Sequence, residues 1–176
     1  MKTIYTIGKA AFIALIILLL QQQLGAQTTH SRDSLLAAAR DIIGQTTYCG
    51  FVTVDSAGQP QTRTMNPFPV GHDFVVWFAT SRGSTKVQEL KNNPRVNVYF
   101  SDHNKAIGYV NLSGAASVID DKELLVKMKR EYWNGIPNWQ DIFVLIRIEP
   151  KSLQVINYKF GVNNDPQTFR APTVKF

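Results

Sequence analysis

Three stretches of strict two-residue alternation constrain this chain more than any other feature. Apolar residues fall at Val96, Val98 and Phe100 within Arg95–Ser101, at Val110, Leu112, Ala116 and Val118 within Tyr109–Val118, and at Ile142, Val144, Ile146 and Ile148. A period of two sends alternate side chains to opposite faces of a pleated strand, so each stretch reads as a half-buried strand, with Gly114 leaving a gap on its buried face. Tyr48–Asp55, Gln61–Met65, Asp73–Ala79 and Leu153–Lys159 read as further strands, the first two joined by the turn Ser56-Ala57-Gly58-Gln59-Pro60. Helical spacing is confined to three places. Ser34–Ile43 stops at Gly44, Ser84–Lys91 ends before Asn93-Pro94, and a segment capped by Asp120 or Asp121 continues to about Trp133. Strands far outnumber helices able to cross over between parallel neighbours, so the expected fold is mainly β, an antiparallel barrel or sandwich.

The first residues carry a different signal. Lys2 and Lys9 precede an unbroken apolar run, Ala10–Leu20, followed by Gln21–Gln23 and then the small residues of Leu24-Gly25-Ala26. A basic head, an apolar middle and a small-residue cut site make a secretory signal peptide. The run rises about 16 Å as a helix, roughly half the hydrocarbon core of a bilayer, which is too short for a span. The expectation is a signal peptide over 1–26, a mature domain over 27–176 and a periplasmic or secreted location. No cysteine follows the run to take a lipid, so no stable membrane anchor is expected after cleavage. Without a twin-arginine pair the chain would cross unfolded and meet any cofactor outside the cytoplasm.

Composition narrows the chemistry. The single cysteine excludes an intramolecular disulfide, and one cysteine with three histidines offers no zinc-site spacing, so no metal is expected. Loss of the leader lowers the formal charge from +6 to +4, and the remaining Lys and Arg are scattered, unlike a nucleic-acid footprint. Dinucleotide, phosphate-loop, His-Glu-x-x-His and Gly-x-Ser-x-Gly motifs are absent. His30, His72 and His103 read as exposed, and Cys49 as a small core residue.

One segment stands out. Thr80-Ser81-Arg82-Gly83-Ser84-Thr85-Lys86 joins a strand end to a helix start, bringing two cations and four hydroxyls to the positive end of that helix. Cations there oppose the helix dipole by about 0.3–1 kcal/mol each. A bound phosphate reverses the sign, because backbone N–H groups, hydroxyls and charged side chains all favour an anion. Arg63, in Thr62-Arg63-Thr64-Met65, is a partner if its strand lies alongside. Gly83 is expected to resist replacement if the backbone there takes positive φ or approaches a ligand.

The order Gly50-Phe51-Val52-Thr53-Val54-Asp55, Gly58-Gln59-Pro60, Thr62-Arg63-Thr64-Met65, Val76-Trp77-Phe78-Ala79-Thr80-Ser81-Arg82, Ser84-Thr85-Lys86-Val87 and Asn93-Pro94-Arg95-Val96 resembles the pyridoxamine 5′-phosphate oxidase-like flavin-binding split barrels. Tyr109-Val110-Asn111-Leu112-Ser113-Gly114-Ala115-Ala116 and Tyr132-Trp133 are similar to the general stress protein branch of that superfamily. The resemblance covers about residues 34–160. It implies a six-stranded antiparallel split β-barrel of Greek-key type with an N-terminal helix and two helices between strands. It also implies a homodimer with FMN at the subunit interface. Thr80, Ser81, Thr85 and Lys86 match phosphate-holding positions, with Ser84 and Arg63 beside them, while Thr64, Met65 and Asn66 would border the isoalloxazine. Departures exclude a true pyridoxamine 5′-phosphate oxidase from the expectation. Thr85 stands where those enzymes carry an arginine, and the tail lacks their tryptophan and Arg-x-His element. Two functions are weighed: an exported FMN-dependent oxidoreductase acting on a small molecule, and a non-catalytic module for flavin, haem or another anionic ligand. A deazaflavin in place of FMN stays open.

Overall fold

The computed structural model describes residues 30–176, so the signal peptide and its cleavage site lie outside the described residues. Arg32–Phe176 forms one unit built on an antiparallel sheet. Its strands are β1 (Cys49–Val54), β2 (Pro60–Met65), β3 (Val76–Ser81), β4 (Arg95–Phe100), β5 (Gly108–Ile119), β6 (Phe143–Asn157) and β7 (Thr173–Lys175). The order across the sheet is β2-β1-β4-β5-β6-β3, and β7 pairs with the far half of β6. The six longer strands curl into a half-barrel whose free edges are β2 and β3, the split-barrel fold expected from the sequence.

The helices are α1 (Arg32–Gly44), α2 (Thr85–Asn92), α3 (Lys122–Lys127) and α4 (Trp139–Ile142), with a 3-10 turn at Glu131–Gly135. α1 plugs the concave side of the sheet. Its buried Leu35, Leu36, Ala38, Ala39 and Ile42 join Phe51, Phe78, Phe100, Val110, Leu112 and Ile146 in one core. The buried Asn157 ties helix to sheet by donating to the Ala38 carbonyl at 3.0 Å and to Asp41 Oδ2 at 3.1 Å. A second, smaller core forms around Trp133, Leu125 and Leu145, with Trp77, Trp139 and Phe143 packed against it.

Four expectations are corrected. The helix from Asp121 stops at Lys127, where Arg130 turns extended, and the chain resumes as a 3-10 turn that buries Trp133. The two C-terminal strands are one, β6. Its register against β5 shifts between Ser113 and Gly114, so Pro150, which has no N–H to donate, sits at a bulge. Gly114 therefore leaves no gap: a Cβ there would lie 2.4 Å from the Glu149 carbonyl oxygen. β3 begins at Val76 rather than Asp73, because Phe74 takes φ +58 and breaks the extended chain before it.

Candidate functional site

The site forms where the two free edges of the half-barrel, β2 and β3, meet the first turns of α2. Arg63 stands on the inner face of β2, in register with Phe51 of β1. Its Nη2 donates to Glu89 Oε1 at 2.7 Å and its Nη1 to Thr53 Oγ1 at 2.6 Å. The Thr53 hydroxyl, wholly buried, donates in turn to Glu89 Oε2 at 2.5 Å, closing a ring of three side chains. Arg63 Nη2 also reaches Thr85 Oγ1 at 3.5 Å, which links β2 to the start of α2.

On the other edge, β3 buries Val76, Phe78 and Thr80 in alternation, so the last inward position is a hydroxyl. Lys86 Nζ donates to Thr80 Oγ1 at 2.9 Å, and Ser84 Oγ lies 3.4 Å from the same oxygen. Ser84 occupies the cap position of α2, yet its side chain makes no capping hydrogen bond. Burial lowers the Lys86 ammonium from its ordinary pKa, and the neighbouring Arg63 guanidinium lowers it further, against an opposing pull from Glu89. Both cations therefore share one pocket of potential. Glu89 cancels one of the two positive charges, leaving an unbalanced cation, hydroxyls and a helix start around Lys86. That donor set fits a phosphate monoester.

The cluster thus unites Arg63, Thr80, Ser84, Thr85 and Lys86, and it adds Thr53 and Glu89, which sequence reasoning missed. Thr53 was visible as a hydroxyl on the inward alternation of a strand, and Glu89 as the residue one helical turn beyond Lys86. Arg82 is elsewhere: both Nη atoms pair with the Asp120 carboxylate and Nε donates to the Asp141 carbonyl at 3.1 Å. Ser81 is exposed at the end of β3, Thr64 points out from β2, and Met65 packs against the main core. Asn66 lies outside the cluster, donating to the Thr47 carbonyl at 2.9 Å and accepting from Arg130. It lines a cleft of about 560 Å³ between the end of α1 and the segment 66–71. Gly83 corrects an expectation, because it lacks a positive φ and a Cβ would meet open space. Cys49 is buried, as expected, and its thiol is pushed up to about 12 by desolvation. Among the described residues no group of three or more His, Cys, Asp or Glu could hold a metal.

Comparison with known proteins returns a family and a fold. The model of the pyridoxamine 5′-phosphate oxidase family matches residues 35–160. General stress protein 26 of Bacillus subtilis is 28% identical over 116 residues, covering 61% of this chain and 79% of that protein. The crystal structure of General Stress Protein 26 from Bacillus anthracis superposes with a TM-score of 0.62 at 24% identity, over 81% of this chain and 98% of that one. A related protein from Clostridium acetobutylicum superposes with a TM-score of 0.64 at 17% identity, over 83% and 97%.

Proposed function

Because the chain belongs to the pyridoxamine 5′-phosphate oxidase family, we propose that it is an exported flavoprotein that seats the phosphate of FMN among Arg63, Thr80, Ser84, Thr85 and Lys86. The observation that carries this reading is the convergence of those five side chains, from both free edges of the sheet, on one half-buried seat. FMN, when bound, supplies the hydride or electron step, so no acid or base from the protein is required for it. The chain's own residues bind and orient. Lys86 meets the anion as a charge with N–H donors to spare. Arg63 is held rigid by Glu89 and Thr53, so little side-chain entropy is lost when a ligand arrives.

β2 is an edge strand, so alternate backbone N–H and C=O groups around Thr64 and Met65 have no strand to pair with on that side. They are the groups we assign to the polar edge of the flavin ring, with Asn66 and Ser81 flanking them. A second copy of the chain completes the enclosure in a homodimer, and a small molecule is the redox partner. Thr85 in place of an arginine, and a tail without the tryptophan and Arg-x-His element, separate this reading from pyridoxamine phosphate oxidation.

The test is the absorbance spectrum of protein purified after export and the mass of whatever it releases on denaturation, followed by titration of the stripped protein with FMN and riboflavin. Flavin bands, the mass of FMN and a marked preference for FMN over riboflavin are expected. A haem Soret band or a deazaflavin mass would replace the cofactor, and equal affinity for the two flavins would remove the phosphate seat.

A further inference from the structure

Three neighbouring strands of the sheet meet at one corner beside the Lys86 seat. β3 stops at Ser81, which is in register with Phe143 at the start of β6, and β5 runs out at Ile119, in register with Leu145. Arg82, the first residue after β3, spans that corner. Its backbone N–H donates to the Ile142 carbonyl at 2.8 Å and its Nε to the Asp141 carbonyl at 3.1 Å, both at the end of α4. Its two Nη atoms reach past the start of β6 to the two oxygens of Asp120, the first residue after β5, so the fork is bidentate. Asp141 is held in turn, its side chain accepting from Lys122 Nζ at 2.7 Å.

These ties bear on the seat because the connection is so short. Thr80 and Ser84, whose hydroxyls lie 3.4 Å apart there, are separated by Ser81, Arg82 and Gly83. The turn closes on itself through the Ser84 N–H, which donates to the Ser81 carbonyl at 3.0 Å. Gly83 brings no side chain to brace it, and Ser81 is exposed. The path of the chain from β3 into α2 therefore rests on Arg82. That path sets where Ser84 Oγ stands and where the first N–H groups of α2 point, the groups a helix start offers to an anion. The pair with Asp120 adds little to global stability, since the two side chains are 40% and 55% exposed. What the fork adds is direction, because a planar guanidinium bidentate to a carboxylate fixes the orientation of both.

We propose that Arg82 is a positioning residue for the phosphate seat. Held by Asp120 and by the carbonyls of Asp141 and Ile142, it fixes the 81–84 turn that aims Ser84 and the start of α2 at the flavin phosphate, without touching the ligand itself. This rests on the reading of the seat as an FMN phosphate site. The sign of one substitution separates positioning from charge. Asp120→Asn removes a negative charge and leaves the Arg82 guanidinium without its carboxylate, so a purely Coulombic role tightens FMN binding, whereas a positioning role weakens it. The exported chain, stripped of flavin, is titrated with FMN and with riboflavin by flavin fluorescence. Arg82→Gln, Arg82→Lys and Asp120→Asn should each weaken FMN binding by about three- to tenfold, the worth of one hydrogen bond, and leave riboflavin binding unchanged. The melting temperature should move by no more than about 4 °C. Lysine keeps the charge but not the fork, so it does not rescue. The double variant Arg82→Gln/Asp120→Asn should be no worse than either single change. The proposal is overturned if Asp120→Asn tightens FMN binding, if Arg82→Lys restores the wild-type affinity, or if FMN and riboflavin lose equally. A wild-type preference for FMN over riboflavin that survives all three substitutions overturns the positioning role alone. A wild-type chain that binds the two flavins equally removes the phosphate seat and the positioning role together.

Discussion

Replacing Lys86 by methionine should move two measurable quantities in opposite directions. In the folded protein the Lys86 ammonium is disfavoured first by burial and then by the Arg63 guanidinium, so its pKa falls below that of the unfolded chain. At neutral pH, where the unfolded lysine is fully protonated, keeping this charge therefore opposes folding. Methionine keeps the unbranched apolar stem and removes the charge. The one hydrogen bond lost is to Thr80 Oγ1, which still has Ser84 Oγ 3.4 Å away. The melting temperature should hold or rise, by up to about 4 °C if the gain reaches ~1 kcal/mol. FMN binding should weaken by the worth of a charge-assisted hydrogen bond, about 1.5–3 kcal/mol or roughly 10- to 150-fold in Kd, while riboflavin binding stays the same. The sign with pH follows. The wild-type fold gains stability as pH rises through the lowered Lys86 value towards the unfolded one, and FMN affinity drops over the same window as the ammonium is lost. Differential scanning calorimetry and fluorescence titration from pH 7 to 10 read both effects. Equal losses for FMN and riboflavin, or a clear fall in melting temperature, would refute the assignment of Lys86 as a strained cation waiting for an anion.

Arg63→Ala should behave differently, because it strands the largely buried Glu89 carboxylate and the Thr53 hydroxyl. We expect a stability loss of about 2 kcal/mol, seen as an earlier urea midpoint, on top of weaker FMN binding, whereas a stability unchanged from wild type would mean that the ring of three side chains does not hold the fold. Gly108→Ala should be among the most damaging single changes. Its φ is +138 and the new Cβ would sit 2.0 Å from the Ile156 carbonyl oxygen, so a loss above ~3 kcal/mol is expected by chemical denaturation, and near-wild-type stability would contradict the packing of β5 on β6. Cys49 should resist iodoacetamide at pH 8 in the folded protein and react once unfolded, since burial holds its thiol at about 12, and rapid native labelling would show the core to be open there.

The half-barrel was legible in the sequence because its strands keep one apolar face. Val96, Val98 and Phe100 on β4 and Val110 and Leu112 on β5 all reach the core where the two-residue period places them. The period fails where burial is two-sided. Val144, Leu145 and Ile146 on β6 are consecutively buried, because the main core takes Ile146 from one face while the Trp133 cluster takes Leu145 from the other. The same cluster cut short the third helix. Its helical spacing through Tyr132 was real, but burying Trp133 and docking Arg130 on Asn66 and Phe68 needed a different backbone path. The alternation ending at Ile148 and the stretch Leu153–Lys159 read as two strands, whereas a bulge beside Gly114 carries Pro150 within one continuous strand in the folded protein.

The site was half legible for a reason that lies in the cost of burying charge. Thr53 on β1, Arg63 on β2 and Thr80 on β3 occupy inward positions where the pleat asks for apolar residues, and three such exceptions from three strands meet at one place. A sequence can show that each is polar, but not that they converge, since within the sheet β1 and β2 are separated from β3 by β4, β5 and β6. Free positive charge at the site is smaller than the count of its cations. An arginine three-quarters buried does not stay unpaired, and Glu89 is the carboxylate that makes its position tenable, at 2.7 Å. What Arg63 gains in rigidity it gives up in free charge. Lys86, without a carboxylate of its own, is left as the residue whose electrostatic free energy an arriving phosphate changes most.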